Sequence, residues 1–95
     1  MERWTVYDRQ GREIYLTVER WQHIITRHKP LINQLDEVLN TIRSGRRHQD
    51  PQQPFKYFYQ KRCNKLNGNY NSITVVIVFF ADSNNYVVTA WPAME

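Results

Sequence analysis

Ile73-Thr74-Val75-Val76-Ile77-Val78-Phe79-Phe80 is apolar at every position but Thr74, and six of its eight residues are β-branched. A strand that is apolar on both sides of its pleat belongs in the middle of a sheet. Two further strand-like runs flank it, Phe55 to Arg62 before and Tyr86 to Trp91 after. Asn67-Gly68-Asn69 and Asp82-Ser83-Asn84-Asn85 separate the three runs, and each is a hairpin signal. The pattern predicts an antiparallel meander, ended by Pro92, which cannot donate to a ladder.

Upstream the period changes. Trp4-Thr5-Val6-Tyr7 and Glu13-Ile14-Tyr15-Leu16 read as a short hairpin around Asp8-Arg9-Gln10-Gly11, where Gly11 is free to take positive φ. Thr17 is placed to cap a helix from Val18 to about His28, with Glu19 in its first turn and Pro30 discouraging continuation. On a helical wheel Val18, Trp21, Ile24, Ile25 and His28 share one face, and His23 lies opposite beside Arg20 and Arg27. A second helix is expected from Leu31 to about Ser44. Leu31, Leu35, Val38 and Ile42 line one side, Ile32 and Leu39 widen it, and Gly45 stops it. Arg46 to Pro54 reads as a polar loop. The fold class is therefore α+β: a short N-terminal hairpin, then two helices packed on an antiparallel β-meander. Residues 1–95 form a single domain at the usual domain size.

Composition narrows the chemistry. The chain has 41% hydrophobic and 23% charged residues, enough apolar surface to fold. Its one cysteine, Cys63, excludes a disulfide framework and a four-cysteine zinc site. No signal-length apolar run opens the chain, and its longest apolar stretch, Val75 to Ala81, is too short to span a bilayer. A cytoplasmic protein with no membrane partner is expected. The net charge of +4 is unevenly spread: residues 43–65 hold seven cations and one anion, Asp50, so the rest of the chain is net negative. Aromatics interleave with those cations in Phe55-Lys56-Tyr57-Phe58-Tyr59-Gln60-Lys61-Arg62. Stacking faces beside cations suit unpaired bases and phosphates, so RNA is the expected partner. Arg43, Arg46, Arg47, His48, Lys56, Tyr57 and Lys65 are the expected RNA-binding residues. The alternative is a solvated basic segment that aids solubility.

No metal-ligand spacing, Gly-rich phosphate loop, Cys/His nucleophile signature or buried carboxylate pair is present, so neither a metal nor a nucleotide cofactor is expected. A histidine, several cations, tyrosines and strand hydroxyls remain. These types suffice for RNA cleavage by its own 2′-OH: a base takes the 2′ proton, cations stabilise the phosphorane, and an acid protonates the leaving oxygen. His28, at the end of the buried stripe, is a sensible place for a working imidazole; equally, it caps the core.

Trp21-Gln22-His23-Ile24-Ile25-Thr26-Arg27-His28, followed by Pro30, resembles the W-x-H-I-x-x-x-H-P-E opening of a family of small phage and bacterial proteins. The basic and aromatic Lys56-Tyr57-Phe58-Tyr59, the strand Thr74 to Val78 and the closing Val87-Val88-Thr89-Ala90-Trp91 extend the likeness. The chain resembles the barnase–EndoU–colicin–RelE-like (BECR) nucleases, in their phage-associated and cyanobacterial small-protein branch, from Tyr7 to Pro92. That resemblance implies two helices on a four-stranded antiparallel sheet. It also implies a metal-independent endoribonuclease, the toxin of a toxin–antitoxin system, with a cognate antitoxin or immunity protein as partner. By the same resemblance His28 is the general acid/base, Thr89 holds phosphate, Tyr59 is the strand aromatic, and Lys61 and Arg62 are cations of the site. Lys29 separates His28 from Pro30, where the family has proline directly, which leaves His23 as the alternative ring. Read from the residues alone, Thr89 is a good β-former, Tyr57 and Tyr59 are core with hydroxyls at the edge, and Lys61 and Arg62 are edge-strand cations. A non-catalytic RNA-binding module or a protein-interaction subunit using residues 43–65 is the alternative function.

Overall fold

A computed structural model describes residues 2–66, 68–81 and 84–95. Six strands and two helices follow one another as β1 (Arg3–Tyr7), β2 (Glu13–Thr17), α1 (Val18–Arg27), α2 (Leu35–Ser44), β3 (Arg46–Gln49), β4 (Lys56–Arg62), β5 (Ser72–Ala81) and β6 (Asn84–Ala93). They build one sheet in the order β1-β2-β6-β5-β4-β3. Every pairing is antiparallel except β2 with β6, which meet in parallel at Tyr15 and Tyr86. The α+β class and the β4-β5-β6 meander hold. The four-stranded antiparallel sheet does not: six strands are present and the sheet is mixed.

Local chemistry explains most boundaries. In the β1–β2 turn the Asp8 carboxylate accepts from the backbone amides of Gln10 (3.0 Å) and Arg12 (2.9 Å), and Gly11 takes φ 79°. Thr17 Oγ1 accepts from the Arg20 amide at 3.1 Å and caps α1. Asp36 and Glu37 open α2 and Arg43 closes it, as the helix dipole favours.

Four expectations need correction. The second helix starts at Leu35, not Leu31: Pro30 sits in a 3-10 turn (Lys29–Leu31), and Asn33 at φ 67° reverses the chain before α2 begins. Leu31 is still fully buried, but Ile32 is left 45% exposed and does not widen the stripe. The expected loop from Arg46 contains β3, whose polar residues show no period-two pattern because neither of its faces is buried. Pro92 lies inside β6 rather than ending it; the ladder to β2 occurs only at Tyr86, so no strand awaits a donor on that side. The turn signals at Asn67 and at Asp82 and Ser83 fall outside the described residues.

The helices cover one face of the sheet only. Val6, Ile14, Leu16, Tyr59, Ile73, Val75, Ile77, Val87 and Ala90 point into the core, where they meet Trp21 and Ile24 of α1, Leu31, and Val38, Leu39 and Ile42 of α2. Gly45 follows α2 where it passes closest to β4: a Cβ there would meet the Thr41 carbonyl oxygen and come within 2.9 Å of the Gln60 carbonyl oxygen. The opposite face of the sheet carries no helix among the described residues.

Candidate nucleic-acid interface

Side chains alternate along a strand, so the register of the meander decides which of them share the open face. Tyr59, Val75 and Ala90 lie side by side on the helix-covered face. Their neighbours Phe58, Val76 and Thr89 therefore lie side by side on the other. His48 extends that row on β3. A second row runs Arg46, Gln60, Thr74, Trp91, and a third runs Lys56, Val78, Tyr86, Tyr15. Arg62, opposite Ser72 and Ala93, begins a fourth. Thr74 and Val76 are only 7% and 4% exposed with no helix above them, because their large strand neighbours shield them.

The open face thus presents aromatic rings and cations together. His48 stacks on Phe58 with centroids 5.2 Å apart, and Phe58 meets Trp91 at 6.5 Å. Tyr15 and Tyr86 lie 6.1 Å apart, and the Arg3 guanidinium sits 4.2 Å over the Tyr15 ring. Phe58, Trp91, Tyr15 and Tyr86 are half-buried and His48 is exposed, so ring surface remains open to solvent. Beside them the Glu95 carboxylate bridges Arg46 (3.6 Å) and Arg62 (3.2 Å).

The residues expected from the sequence divide between the two sides of the sheet. Arg46, His48, Lys56, Arg62 and Thr89 come together on the open face. His28 does not join them. It caps the C-terminus of α1 on the helix side, with its amide bonded to the Ile24 carbonyl at 2.8 Å. His23 is exposed on α1. Lys61 lies opposite Ile73 on the helix side of β4. Arg47 also faces that side, its guanidinium 4.3 Å from the Tyr57 ring centre, and Tyr57 leans on Phe79 at 4.8 Å. Arg43 donates to Asn40 at 2.7 Å on α2, and Lys65 pairs with Glu37 at 3.6 Å. His28, Tyr59, Lys61, Arg62 and Thr89 therefore do not converge on one point.

Tyr59 is the clearest displacement. It is 1% exposed and donates its hydroxyl hydrogen to Asp8 Oδ2 at 2.6 Å. Burial, then the bond to the Asp8 carboxylate, push its phenol well above the ordinary tyrosine range, so it stays protonated. Burial works to raise the Asp8 carboxyl too. The hydrogen bonds from Tyr59, from the Arg12 and Gln10 amides and from the Arg12 guanidinium outweigh it and hold Asp8 below its usual range. This cluster is a core fastening, out of reach of a strand on the surface. Cys63 is buried as well: burial pushes its thiol up, and Sγ lies 3.5 Å from the Glu37 carboxylate, surroundings that disfavour a thiolate.

Phe58, Trp91, Tyr15, Tyr86 and Arg3 share this face and were not among the site residues expected from the sequence. The signal for Phe58 and Trp91 lay in the period of two: Phe58 alternates with Tyr57 and Tyr59, and Trp91 with Ala90. Choosing the open side required knowing where the helices pack. Among the described residues no three of His, Cys, Asp and Glu gather as a metal site, and no helix is long and apolar enough to cross a membrane. No family model, curated protein or solved structure matches this chain.

Proposed function

We propose that the open face of the sheet binds single-stranded RNA. The observation that carries this reading is the coincidence of two aromatic clusters, His48/Phe58/Trp91 and Tyr15/Tyr86, with Arg3, Arg46, Lys56 and Arg62 on one uncovered surface. Neighbouring strands are about 4.8 Å apart, so the two clusters span a distance suited to two or three unstacked bases. Base-on-aromatic stacking contributes about 1–3 kcal/mol per base and tolerates any sequence, while the cations take the phosphates.

A second reading, cleavage of the bound strand, is favoured by the imidazole of His48 on that same face. In it the 2′-oxygen attacks phosphorus and the bond to the 5′-oxygen breaks. A 2′,3′-cyclic phosphate and a 5′-hydroxyl result. His48 moves the proton, and Arg46 and Arg62 take the phosphorane charge; Thr89, three strands from His48 in the same row, bonds a different phosphate of the strand. The protein is then a metal-independent endoribonuclease of BECR type, acting in the cytoplasm as a toxin. Its basic face asks for an acidic antitoxin or immunity protein. His28 caps α1 on the helix side, so this reading gives the imidazole's role to His48 instead.

The test is incubation of purified protein with total RNA in EDTA. Defined fragments ending in 2′,3′-cyclic phosphate, reduced about 10²- to 10⁴-fold in His48→Ala and unchanged in His28→Ala, support cleavage. Loss of fragments in His28→Ala alone, with the fold intact by circular dichroism, overturns the His48 assignment. RNA retention without fragments leaves the binding module, and neither retention nor fragments removes both readings.

A further inference from the structure

We propose that Arg46 and Arg62 form a phosphate subsite at the β3–β4 edge of the open face, and that the Glu95 carboxylate fills it in the free protein in place of phosphate. The subsite deepens the RNA-binding reading and rests on it for its ligand, a phosphodiester.

Two guanidinium groups repel one another unless an anion lies between them. Here one carboxylate serves both, with Oε1 3.6 Å from Arg46 Nη2 and Oε2 3.2 Å from Arg62 Nε. The arginine side chains are 78% and 72% exposed, whereas that of Glu95 is 19% exposed beneath them. The carboxylate is held there by the main chain. Asn71 Oδ1 accepts from the Glu95 amide at 2.8 Å, and the Asn71 amide donates to the Ala93 carbonyl at 3.0 Å. Asn71 Nδ2 completes the hold at 3.4 Å from the Glu95 carbonyl.

Carboxylate and phosphate are the two anions that guanidinium groups bind in the same planar geometry. Register places the subsite beside the stacking rings: Arg46 shares its row with Trp91, and Arg62 is two residues from Gln60 in that row. A strand whose bases lie on Phe58 and Trp91 brings its backbone across this corner. Its phosphate then takes the arginines and releases Glu95. The resident carboxylate lowers affinity for every polyanion, and the stacking of bases supplies what a bare polyanion lacks. Because one anion replaces another, this corner releases fewer counterions than two free arginines would.

The test uses an oligouridylate titrated into wild type, Glu95→Gln and Asn71→Ala over a range of salt, and inorganic phosphate titrated while the Arg62 Nε–H resonance is followed. Glu95→Gln should bind the oligonucleotide about three- to tenfold tighter, the scale of two exposed ion pairs. Its salt slope should steepen by less than the roughly 0.7 of a whole phosphate contact, because no released carboxylate takes up a cation. Asn71→Ala should move affinity the same way by less. Inorganic phosphate should shift the Arg62 resonance in Glu95→Gln and leave it still in wild type. Weaker or unchanged binding in Glu95→Gln would show that Glu95 only aligns the arginines, and the subsite is overturned. If Glu95→Gln gains phosphate while Phe58→Ala and Trp91→Ala leave RNA binding untouched, the subsite stands and the stacking surface fails.

Discussion

Tyr59 of β4 and Asp8 at the end of β1 are 51 residues apart in sequence and joined by a 2.6 Å hydrogen bond inside the core. The two belong to strands near opposite edges of the sheet. The bond therefore closes the curl of the sheet over its helix-covered side, and three further donors satisfy the same carboxylate.

Removing the Tyr59 hydroxyl leaves a buried carboxylate short of a donor. Tyr59→Phe should lower unfolding free energy by about 1–3 kcal/mol in urea denaturation. The acid side follows from the depressed Asp8. Its folded pKa lies below its unfolded one, so its contribution is present above about pH 3.9 and is lost as pH falls through the folded value. Asp8→Asn should therefore flatten the loss of stability below that pH. The raised Tyr59 acts on the alkaline side, where its contribution is full below about pH 10 and is lost as pH rises beyond it. Stability curves of the two variants against pH check both signs.

The two faces of β4 should answer to different assays. Phe58→Ala and Trp91→Ala should each weaken binding of single-stranded RNA by about five- to a hundredfold, measured by fluorescence anisotropy. Their truncation also uncovers Thr74 and Val76, so binding is compared on samples shown to be folded by circular dichroism at the assay temperature. Tyr57 packs on Phe79 beneath Arg47, so its truncation should lower stability and spare RNA binding. Loss of RNA binding only in Tyr57→Ala would place the interface on the wrong side of the sheet.

Gly45 takes φ −72°, which any residue adopts, so its value is space rather than freedom. Gly45→Ala pushes a methyl group against the Thr41 and Gln60 carbonyl oxygens and should cost about 1–3 kcal/mol of stability by separating α2 from β4. A melting temperature equal to that of wild type would show that the chain shifts there freely.

Regular patterns were legible wherever one side of an element is buried. The stripe Val18, Trp21, Ile24 and the cap Thr17 located α1 to within a residue. The apolar run from Ile73 located the inner strand β5. Where burial is absent the pattern is silent: Arg46-Arg47-His48-Gln49 is an edge strand because β4 offers it backbone partners, and no periodicity announces that. The start of α2 was misplaced because Leu31 is buried in a 3-10 turn as fully as it would be in a helix.

The candidate site divides in the same way. Composition and local order by themselves determined that residues 43–65 are basic and aromatic, and that three strands meander after two helices. Those properties depend on neighbours along the chain. Only the tertiary structure decided that Tyr57, Tyr59, Lys61 and His28 lie on the helix side while Phe58, Trp91, Thr89, His48 and Arg62 share the open face. In a strand, adjacent residues point in opposite directions. Which direction becomes core depends on where α1 and α2 pack, a choice made by contacts between residues far apart in sequence.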